Sequence, residues 1–201
     1  MTHPVILILA AGASTRMAPH DKLVQPVAGR PLLRLVAERA LATGAPVTVV
    51  LPPDRPARRA ALDGLVLRVV TAEDAAQGMT ASLRAGIASL PPGCPGAMIL
   101  PADMPGLTSA DLSRLLSRFA EDPTRLLRGT AEDGRQGHPA LFPADLFPAL
   151  LALCGDEGGR SVLKAHRDRL VLVPLPGDHA VLDLDSPEDW AAFHARGSGG
   201  E

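Results

Sequence analysis

The hydrophobic pattern of the chain alternates between short aliphatic runs and amphipathic stretches. Continuous apolar runs predict strands that are buried on both faces, at residues 4–9, 46–51, 65–70 and 96–100. Apolar residues spaced three and four apart predict helices between them, at residues 31–44, 54–64, 79–90 and 108–122. This alternation predicts right-handed βαβ crossovers, and therefore an α/β fold with a parallel sheet between two layers of helices.

The second half of the chain is less regular. Apolar runs predict strands at residues 125–131, 138–142, 169–175 and 180–184, and short helices at residues 143–155 and 159–167. A last helix is predicted at residues 186–195, with Ser186 as its N-cap and Pro187 at its first position. No linker divides the chain, so we expect one domain over residues 1–195 and a disordered tail at residues 196–201.

Composition and charge exclude several classes of function. The 201 residues carry a net charge of −2 and 2% aromatic residues, which argues against a broad nucleic-acid surface. No apolar run approaches the roughly 20 residues of a membrane helix, and we expect no signal peptide. The two cysteines, Cys94 and Cys154, lack metal-ligand spacing, so we expect reduced thiols and a cytoplasmic protein.

The stretch LAAGASTRMAPHDK, residues 9–22, follows the first predicted strand. Small residues at 10–13 let backbone N–H groups approach an anion, while Arg16 offers a planar fork and Lys22 a point charge. Because ligands of open parallel sheets bind beyond the carboxyl ends of the strands, this stretch predicts a polyphosphate site. It contains neither GxxxxGK[ST] nor GxGxxG, and the alternative is a surface loop with two solvated cations.

The stretch resembles the signature loop of MobA-like nucleotidyltransferases, most of all that of molybdenum cofactor cytidylyltransferases. Further matches follow in the same order: GRPLL (29–33), QGMTASLRAGI (77–87), PADMPGLT (101–108), GHPALF (137–142), GDEGGRSVL (155–163) and DLDSPEDW (183–190). The resemblance implies a three-layer Rossmann-like nucleotidyltransferase fold with a mostly parallel central sheet. It also implies a nucleotide-binding half at about residues 1–107 and an acceptor-binding half at about residues 108–195. The family usually has glycine where Ala18 stands, which leaves the local loop conformation open.

The resemblance implies that Asp103 and Asp185 bind Mg²⁺, with Asp183 as a weaker candidate. Asp103 follows the fourth predicted strand and the other two follow a late one, at the sheet edge that carries the loop. Mg²⁺ binds one or two carboxylates and keeps its other positions for water and phosphate oxygens. Taken singly, Asp103 also suits a turn, and Asp185 also suits a helix cap.

The resemblance further assigns the nucleotide contacts, which are Leu9, Ala10, Ala11, Gly12, Arg16, Lys22, Gly78, Thr80 and Ser82. The family's guanylyl branch commonly has glycine where Ala11 stands, and its cytidylyl branch has alanine, which favours CTP over GTP. Arg16, Lys22 and Asp103 are the expected catalytic residues, acting by positioning and charge stabilisation without a general base. Thr80 equally suits a purely structural role near the helix start.

On the acceptor side, the resemblance points to His138, Asp156 and Arg160. A histidine before proline is commonly a structural turn residue, and the segment from Asp156 to Arg160 equally suits a solvated loop. Arg58 and Arg59 are predicted to lie on a solvated helix face.

These observations lead to one principal hypothesis and two alternatives. The principal hypothesis is a Mg²⁺-dependent transfer of CMP from CTP to a molybdopterin-type molybdenum cofactor, with release of pyrophosphate. A molybdoenzyme or its chaperone is then the expected partner, and neither nucleic acid nor membrane is. The first alternative is another phosphate acceptor or base: guanylyl transfer to molybdopterin, a sugar phosphate or methylerythritol phosphate. The second is a non-catalytic chaperone that binds the cofactor.

Overall fold

The computed structural model describes residues 3–155 and 158–195, with only the backbone of Gln77. In this part of the chain the strands are β1 Val5–Leu9, β2 Pro26–Val27, β3 Arg30–Pro31, β4 Val47–Leu51, β5 Arg68–Thr71, β6 Gly96–Pro101, β7 Leu126–Thr130, β8 Gln136–Pro143 and β9 Leu170–Pro174. The helices are α1 Leu32–Leu41, α2 Pro56–Ala60, α3 Met79–Ala88, α4 Ser109–Glu121, α5 Phe147–Leu151, α6 Arg160–Ala165 and α7 Pro187–Ala195. Short 3₁₀ turns lie at Thr15–Met17, Lys22–Val24, Ala75–Gln77 and Ala144–Leu146.

Seven of the described strands form one sheet in the order β5-β4-β1-β6-β8-β7-β9. Neighbouring strands are parallel except at β8, which runs antiparallel to both β6 and β7. The reversal follows from the short connection between β7 and β8, because a tight loop joins antiparallel strands whereas a parallel pair needs a crossover. The expected α/β fold with a mostly parallel central sheet is therefore confirmed.

The sheet is covered on both faces, which gives the three layers. In β1, Ile6 and Ile8 pack on the side of α1, α4 and α7, while Val5 and Leu7 pack on the side of α3, α5 and α6. All four side chains are almost fully buried. Burial of each such side chain contributes about 1.5–3 kcal/mol, so the aliphatic runs that predict strands also supply the core.

The strand order reverses direction at β1. The chain proceeds from β1 outward to β4 and β5, then returns to place β6 on the other side of β1. The carboxyl ends of β1 and β6 therefore lie side by side at a topological switch point, where open α/β sheets form their ligand crevice.

The strand predicted at residues 180–184 is wrong. Instead a turn ends at residue 181 and residues 182–184 are irregular, with Val181 and Leu182 both donating their N–H groups to the carbonyl of Asp178. The backbone N–H of His138 donates to the carbonyl of Ala180. A Cβ at Gly137 would lie 1.7 Å from the same carbonyl oxygen. The apolar pattern here thus reflects packing onto the sheet and not membership of it.

Other boundaries also differ from the predictions. The third strand occupies only Arg68–Thr71, and the second helix only Pro56–Ala60. The β2–β3 hairpin is absent from the predictions because its two-residue strands are too short for a periodic signal.

Two predicted helix starts are confirmed. Thr108 and Asp111 form a reciprocal capping box at α4. Ser186 and Asp189 exchange the same type of bonds at α7, with Pro187 as the first helical residue. Within the described residues, every helix is too short or too polar to cross a membrane.

Candidate functional site

The loop after β1 has a defined conformation. Ser14 adopts a left-handed backbone with φ 57°, and its hydroxyl accepts a hydrogen bond of 3.0 Å from the N–H of Lys22. Leu9 ends β1, and Ala10 donates its N–H to the carbonyl of Val50. Because that amide is already bonded, a phosphate would meet the amides that follow it. At Gly12 no atom lies within 4 Å of the position of a Cβ, so the loop is open there.

Lys22 lies between two carboxylates at the rim of the sheet. Its Nζ is 2.5 Å from Oδ2 of Asp103 and 2.5 Å from Oδ1 of Asp185. Arg16, whose side chain is 70% exposed, reaches Oδ2 of Asp185 at 2.9 Å. The two cations and two carboxylates that the sequence singled out are therefore brought together.

Neighbouring elements hold these carboxylates in place. Asp103 lies just past the end of β6, and its carbonyl accepts a hydrogen bond from the N–H of Leu184. Ser186 caps α7, which leaves the carboxylate of Asp185 free to face Lys22. The alternatives of a turn former for Asp103 and a helix cap for Asp185 thus do not account for their side-chain contacts.

The electrostatics of the rim favour a charged lysine. Burial lowers the pKa of Lys22, but the charges of Asp103 and Asp185 and the hydrogen bonds with them outweigh that effect, so its pKa is raised. Partial loss of solvent and the negative charges of Asp185 and Asp103 raise the pKa of Asp183. In the described part of the chain Asp183 forms no ion pair with Lys22 or Arg16, so it is the weaker ligand candidate.

The rim suits a hard divalent cation. Two carboxylates that converge on one cationic Nζ can also converge on a metal ion, and carboxylate oxygens are the ligands that Mg²⁺ prefers. No group of three or more His, Cys, Asp and Glu residues among those described could hold a metal ion. A metal here would therefore take its remaining ligands from water and from a bound phosphate.

The segment that opens α3 follows β5, and Ala75 in the turn before it packs against the cluster that contains Ala11. Gly78 precedes the helix with φ 105°, a conformation that favours glycine. Thr80 and Ser82 are buried, and the hydroxyl of Thr80 accepts a hydrogen bond of 3.2 Å from the N–H of Gly158. Thr80 thus connects α3 to the loop before α6, and its contact with a nucleotide stays a prediction.

Two of the residues predicted to contact the acceptor, His138 and Arg160, lie near Arg128. Burial, followed by the charge of Arg128, lowers the pKa of His138 to about 4, with Asp103 opposing and Arg160 adding to the effect. Its Nδ1 is buried and has no hydrogen-bond partner among the described residues. Asp156 lies outside the described residues.

Arg128 is absent from the predicted site residues, although its charge lies near His138. Its Nε donates to the carbonyl of Gly137 at 2.9 Å, and its Nη1 donates to Oε1 of Gln136 at 3.1 Å. Burial and the nearby charge of Arg160 lower its pKa. The available signal is a single charge within the apolar run LLRGT, since a charge in a buried strand needs a partner or a ligand.

The prediction that Arg58 lies on a solvated face is wrong. Arg58 is fully buried, whereas its neighbour Arg59 is exposed. The difference arises because Arg58 faces the carboxylate of Asp21 in the loop after β1. A sequence pattern does not reveal such a long-range pair.

We expect His138 to make the protein less stable at acidic pH. Unfolded His138 binds a proton near pH 6.5 and folded His138 only near pH 4, so the unfolded state binds more protons in that window. The free energy of unfolding therefore decreases as the pH falls, and His138 accounts for up to about 3 kcal/mol of that decrease. Urea unfolding at pH 7 and pH 4.5 should show a smaller loss in His138→Gln than in the wild type. Equal losses in both proteins would contradict the assignment of a neutral, buried imidazole.

Known proteins are similar to this chain over most of its length. Residues 6–170 match the family model of the MobA-like NTP transferase domain. A molybdenum cofactor guanylyltransferase of Cereibacter sphaeroides is 32% identical over 187 residues, covering 92% of both chains. A probable molybdenum cofactor guanylyltransferase of Natronomonas pharaonis is 39% identical over 182 residues, covering 90% of this chain and 84% of that protein. The nicotine blue oxidoreductase of Paenarthrobacter nicotinovorans is 29% identical, and the match covers 90% of this chain and 92% of that protein.

Solved structures share the fold. A protein of Mycobacterium tuberculosis H37Rv superposes with a TM-score of 0.84 at 27% identity, covering 95% of this chain and 96% of its own. A manganese complex of that protein has a TM-score of 0.80 at 26% identity, and the match covers 95% of this chain and 97% of its own. The fold alone is shared with a CMP:2-keto-3-deoxy-manno-octonic acid synthetase bound to CTP, at 15% identity and a TM-score of 0.76. The match covers 96% of this chain and 98% of that protein. The Rossmann-like nucleotidyltransferase fold is thereby confirmed.

Proposed function

The chain belongs to the MobA-like NTP transferase family, and on that premise we propose that it transfers CMP from CTP to a molybdopterin-type molybdenum cofactor and releases pyrophosphate. The observation that carries this proposal is the contact of Lys22 with both Asp103 and Asp185 at the switch point of the sheet. The two relatives named as molybdenum cofactor guanylyltransferases support the choice of acceptor.

In this proposal, Lys22 and Arg16 bind the triphosphate while Asp103 and Asp185 hold Mg²⁺. The bound metal would neutralise phosphate charge and align the reacting groups. The manganese complex of a structural neighbour supports a divalent cation in this fold. Leu9, Ala10, Ala11 and Gly12 shape the loop on which the phosphates rest.

The reaction needs no base from the protein. An oxygen of the acceptor phosphate attacks the α-phosphorus of CTP, a new phosphoanhydride bond forms, and the bond to the β-phosphate breaks. Pyrophosphate leaves with the electron pair of that bond, stabilised by the positive charges of Lys22 and Arg16. The acceptor phosphate is already mostly ionised near pH 7, so catalysis consists of positioning and charge stabilisation.

The acceptor half of the proposal covers about residues 108–195, within a single domain of residues 1–195. Arg128 and Arg160 lie near His138, so this half presents positive charge beside Asp103. The neutral imidazole of His138 can donate one hydrogen bond and accept another from the pterin. Asp156 remains a predicted acceptor contact.

The choice between CTP and GTP depends on Ala11. Its methyl group is buried and packs with Val50 and Ala72, and Ala75 lies against this cluster in the turn that leads to Gly78. That methyl group fills space under the proposed nucleobase segment, which favours the smaller pyrimidine. GTP is the second candidate because both molybdenum cofactor relatives are named guanylyltransferases.

We expect Ala11→Gly to shift the base preference towards GTP by about tenfold in kcat/KM. The reason is that removing this buried methyl group frees space under the nucleobase segment, and space for one methylene changes discrimination by a factor of about 10–200. Competition between CTP and GTP in one assay measures the ratio directly, and Ala13→Gly, at an exposed position of the same loop, controls for loop flexibility. An unchanged ratio in Ala11→Gly would remove Ala11 as the determinant of base choice.

The experiment that tests the function is a screen of pyrophosphate release. CTP, GTP and UTP are each offered with Mg²⁺ and with molybdenum cofactor, a sugar phosphate or methylerythritol phosphate. The proposal expects release that requires the molybdenum cofactor and is fastest with CTP. Release with another acceptor would support the first alternative, and cofactor binding without release would support a chaperone.

One relative carries an oxidoreductase name, so the fold by itself does not determine the reaction. Two carboxylates and two cations on one rim favour a metal-bound triphosphate, which is why nucleotidyl transfer is the proposed chemistry. The proposal places the enzyme in the cytoplasm, with Cys94 and Cys154 as free thiols and a molybdoenzyme or its chaperone receiving the product.

A further inference from the structure

Helix α2 carries an arginine that is completely enclosed by protein. Arg58 has 0% exposed surface, although it lies on a helix of five residues between two exposed neighbours. A guanidinium group that loses all its water must find its hydrogen bonds within the protein. The partners of Arg58 both belong to the loop that connects β1 to Lys22.

The guanidinium group contacts both ends of this loop. Its Nε and Nη2 donate to the two carboxylate oxygens of Asp21, at 2.7 and 2.9 Å. Its Nη1 donates to the carbonyl of Ala10 at 2.6 Å. Ala10 directly follows β1 and Asp21 directly precedes Lys22, so one side chain joins the beginning of the loop to its end.

The same contacts hold the backbone around Lys22. Asp21 Oδ1 also accepts the N–H of Leu23 at 3.1 Å, which starts the 3₁₀ turn that contains Lys22. The N–H of Lys22 itself donates to the hydroxyl of Ser14. The position of the lysine backbone therefore depends on the orientation of Asp21, and this orientation depends on Arg58.

We propose that Arg58 is a positioning residue that sets where Lys22 meets the triphosphate. The inference rests on the proposed function, because it assigns the triphosphate to Lys22. Arg58 acts through Asp21 and Ala10 and touches no substrate, since it is buried. Only a planar fork can bond both oxygens of Asp21 and the carbonyl of Ala10 together, so lysine is a poor replacement.

The test uses variants that separate positioning from folding. Arg58→Met leaves the carboxylate of Asp21 buried without its partner and is expected to destabilise the fold. The double variant Arg58→Met/Asp21→Asn removes both charges, so no uncompensated charge remains. Arg58→Lys keeps the charge without the fork, and Arg59→Met, one residue away and exposed, is the matched control.

Two measurements are made on the full-length protein. Calorimetric titration with CTP and Mg²⁺ should give a Kd at least about tenfold weaker in the double variant and in Arg58→Lys, with the control unchanged. Hydrogen exchange of the Lys22 and Leu23 amides should be at least about tenfold faster in the double variant, while the amides of β1 keep their protection.

The outcomes distinguish this inference from the proposed function. A wild-type protein that binds no nucleotide refutes the proposed function, and the exchange rates at Lys22 and Leu23 then still decide whether Arg58 fixes the loop. Wild-type exchange at these amides in the double variant would overturn the inference. Faster exchange combined with unchanged CTP affinity would overturn it as well, because the loop would then be held without positioning Lys22 for phosphate.

Discussion

Asp103→Asn is expected to reduce kcat for nucleotidyl transfer by about 10³-fold or more. Asparagine keeps the shape of the side chain but loses the charge that pairs with Lys22 and that would hold the metal. Removing one group that stabilises charge in acyl or phosphoryl transfer lowers the rate by about 10²–10⁵-fold. The reduction should fall mainly on kcat, since the metal aligns the reacting groups.

The matched control for this prediction is Asp145→Asn. Asp145 forms an exposed ion pair with Arg169, away from the rim, so its loss should leave kcat unchanged. Steady-state pyrophosphate release, with a melting temperature for each variant, separates lost catalysis from lost folding. A kcat for Asp103→Asn within tenfold of the wild type would show that Asp103 has no part in catalysis. Cofactor affinity kept by a variant with no turnover would separate an enzyme from a carrier.

Lys22→Met is expected to lower kcat/KM for CTP by about 10²–10³-fold. The variant loses the cation that contacts both carboxylates and that would bind the triphosphate. Without it, the like charges of Asp103 and Asp185 face each other with only the exposed Arg16 as a counter-charge, so the melting temperature should also fall. Lys164→Met, an exposed lysine on α6, is the matched control.

A second effect of Lys22→Met is measurable without turnover. In the absence of nucleotide, the ammonium group occupies the space between the carboxylates and competes with a divalent cation. Removing it should increase the Mn²⁺-dependent rise in melting temperature above that of the wild type, because a ligand stabilises the state that it binds. A smaller Mn²⁺ effect in the variant than in the wild type would contradict the placement of metal and lysine at one point.

Much of the fold follows from the sequence because the strands are buried on both faces. The runs that form β1, β4 and β6 are aliphatic throughout, and only a sheet covered by helices on both sides accommodates such strands. The helix starts at Thr108 and Ser186 are equally local, since a capping box needs residues only three apart. Lys22 and Asp103 meet because the carboxyl ends of adjacent parallel strands share one edge.

The remaining features depend on contacts between distant segments. Residues 180–184 have the apolar pattern of a strand, yet they form the end of a turn and an irregular segment, with Ala180 and Leu184 buried in the core. Arg58 and Arg59 are chemically identical, and only the position of Asp21, 37 residues away from Arg58, makes one of them buried. Arg128 likewise lies near Arg160 of α6 and His138 of β8, and its own strand does not reveal either neighbour.

The most direct test of the central claim is a crystal structure of the protein with Mn²⁺ and a non-hydrolysable CTP analogue. We expect an anomalous manganese signal at about 2.1 Å from carboxylate oxygens of both Asp103 and Asp185. Lys22 should then contact phosphate oxygens, with Arg16 beside them. A triphosphate bound elsewhere, with Lys22 still bridging the two carboxylates, would contradict the account.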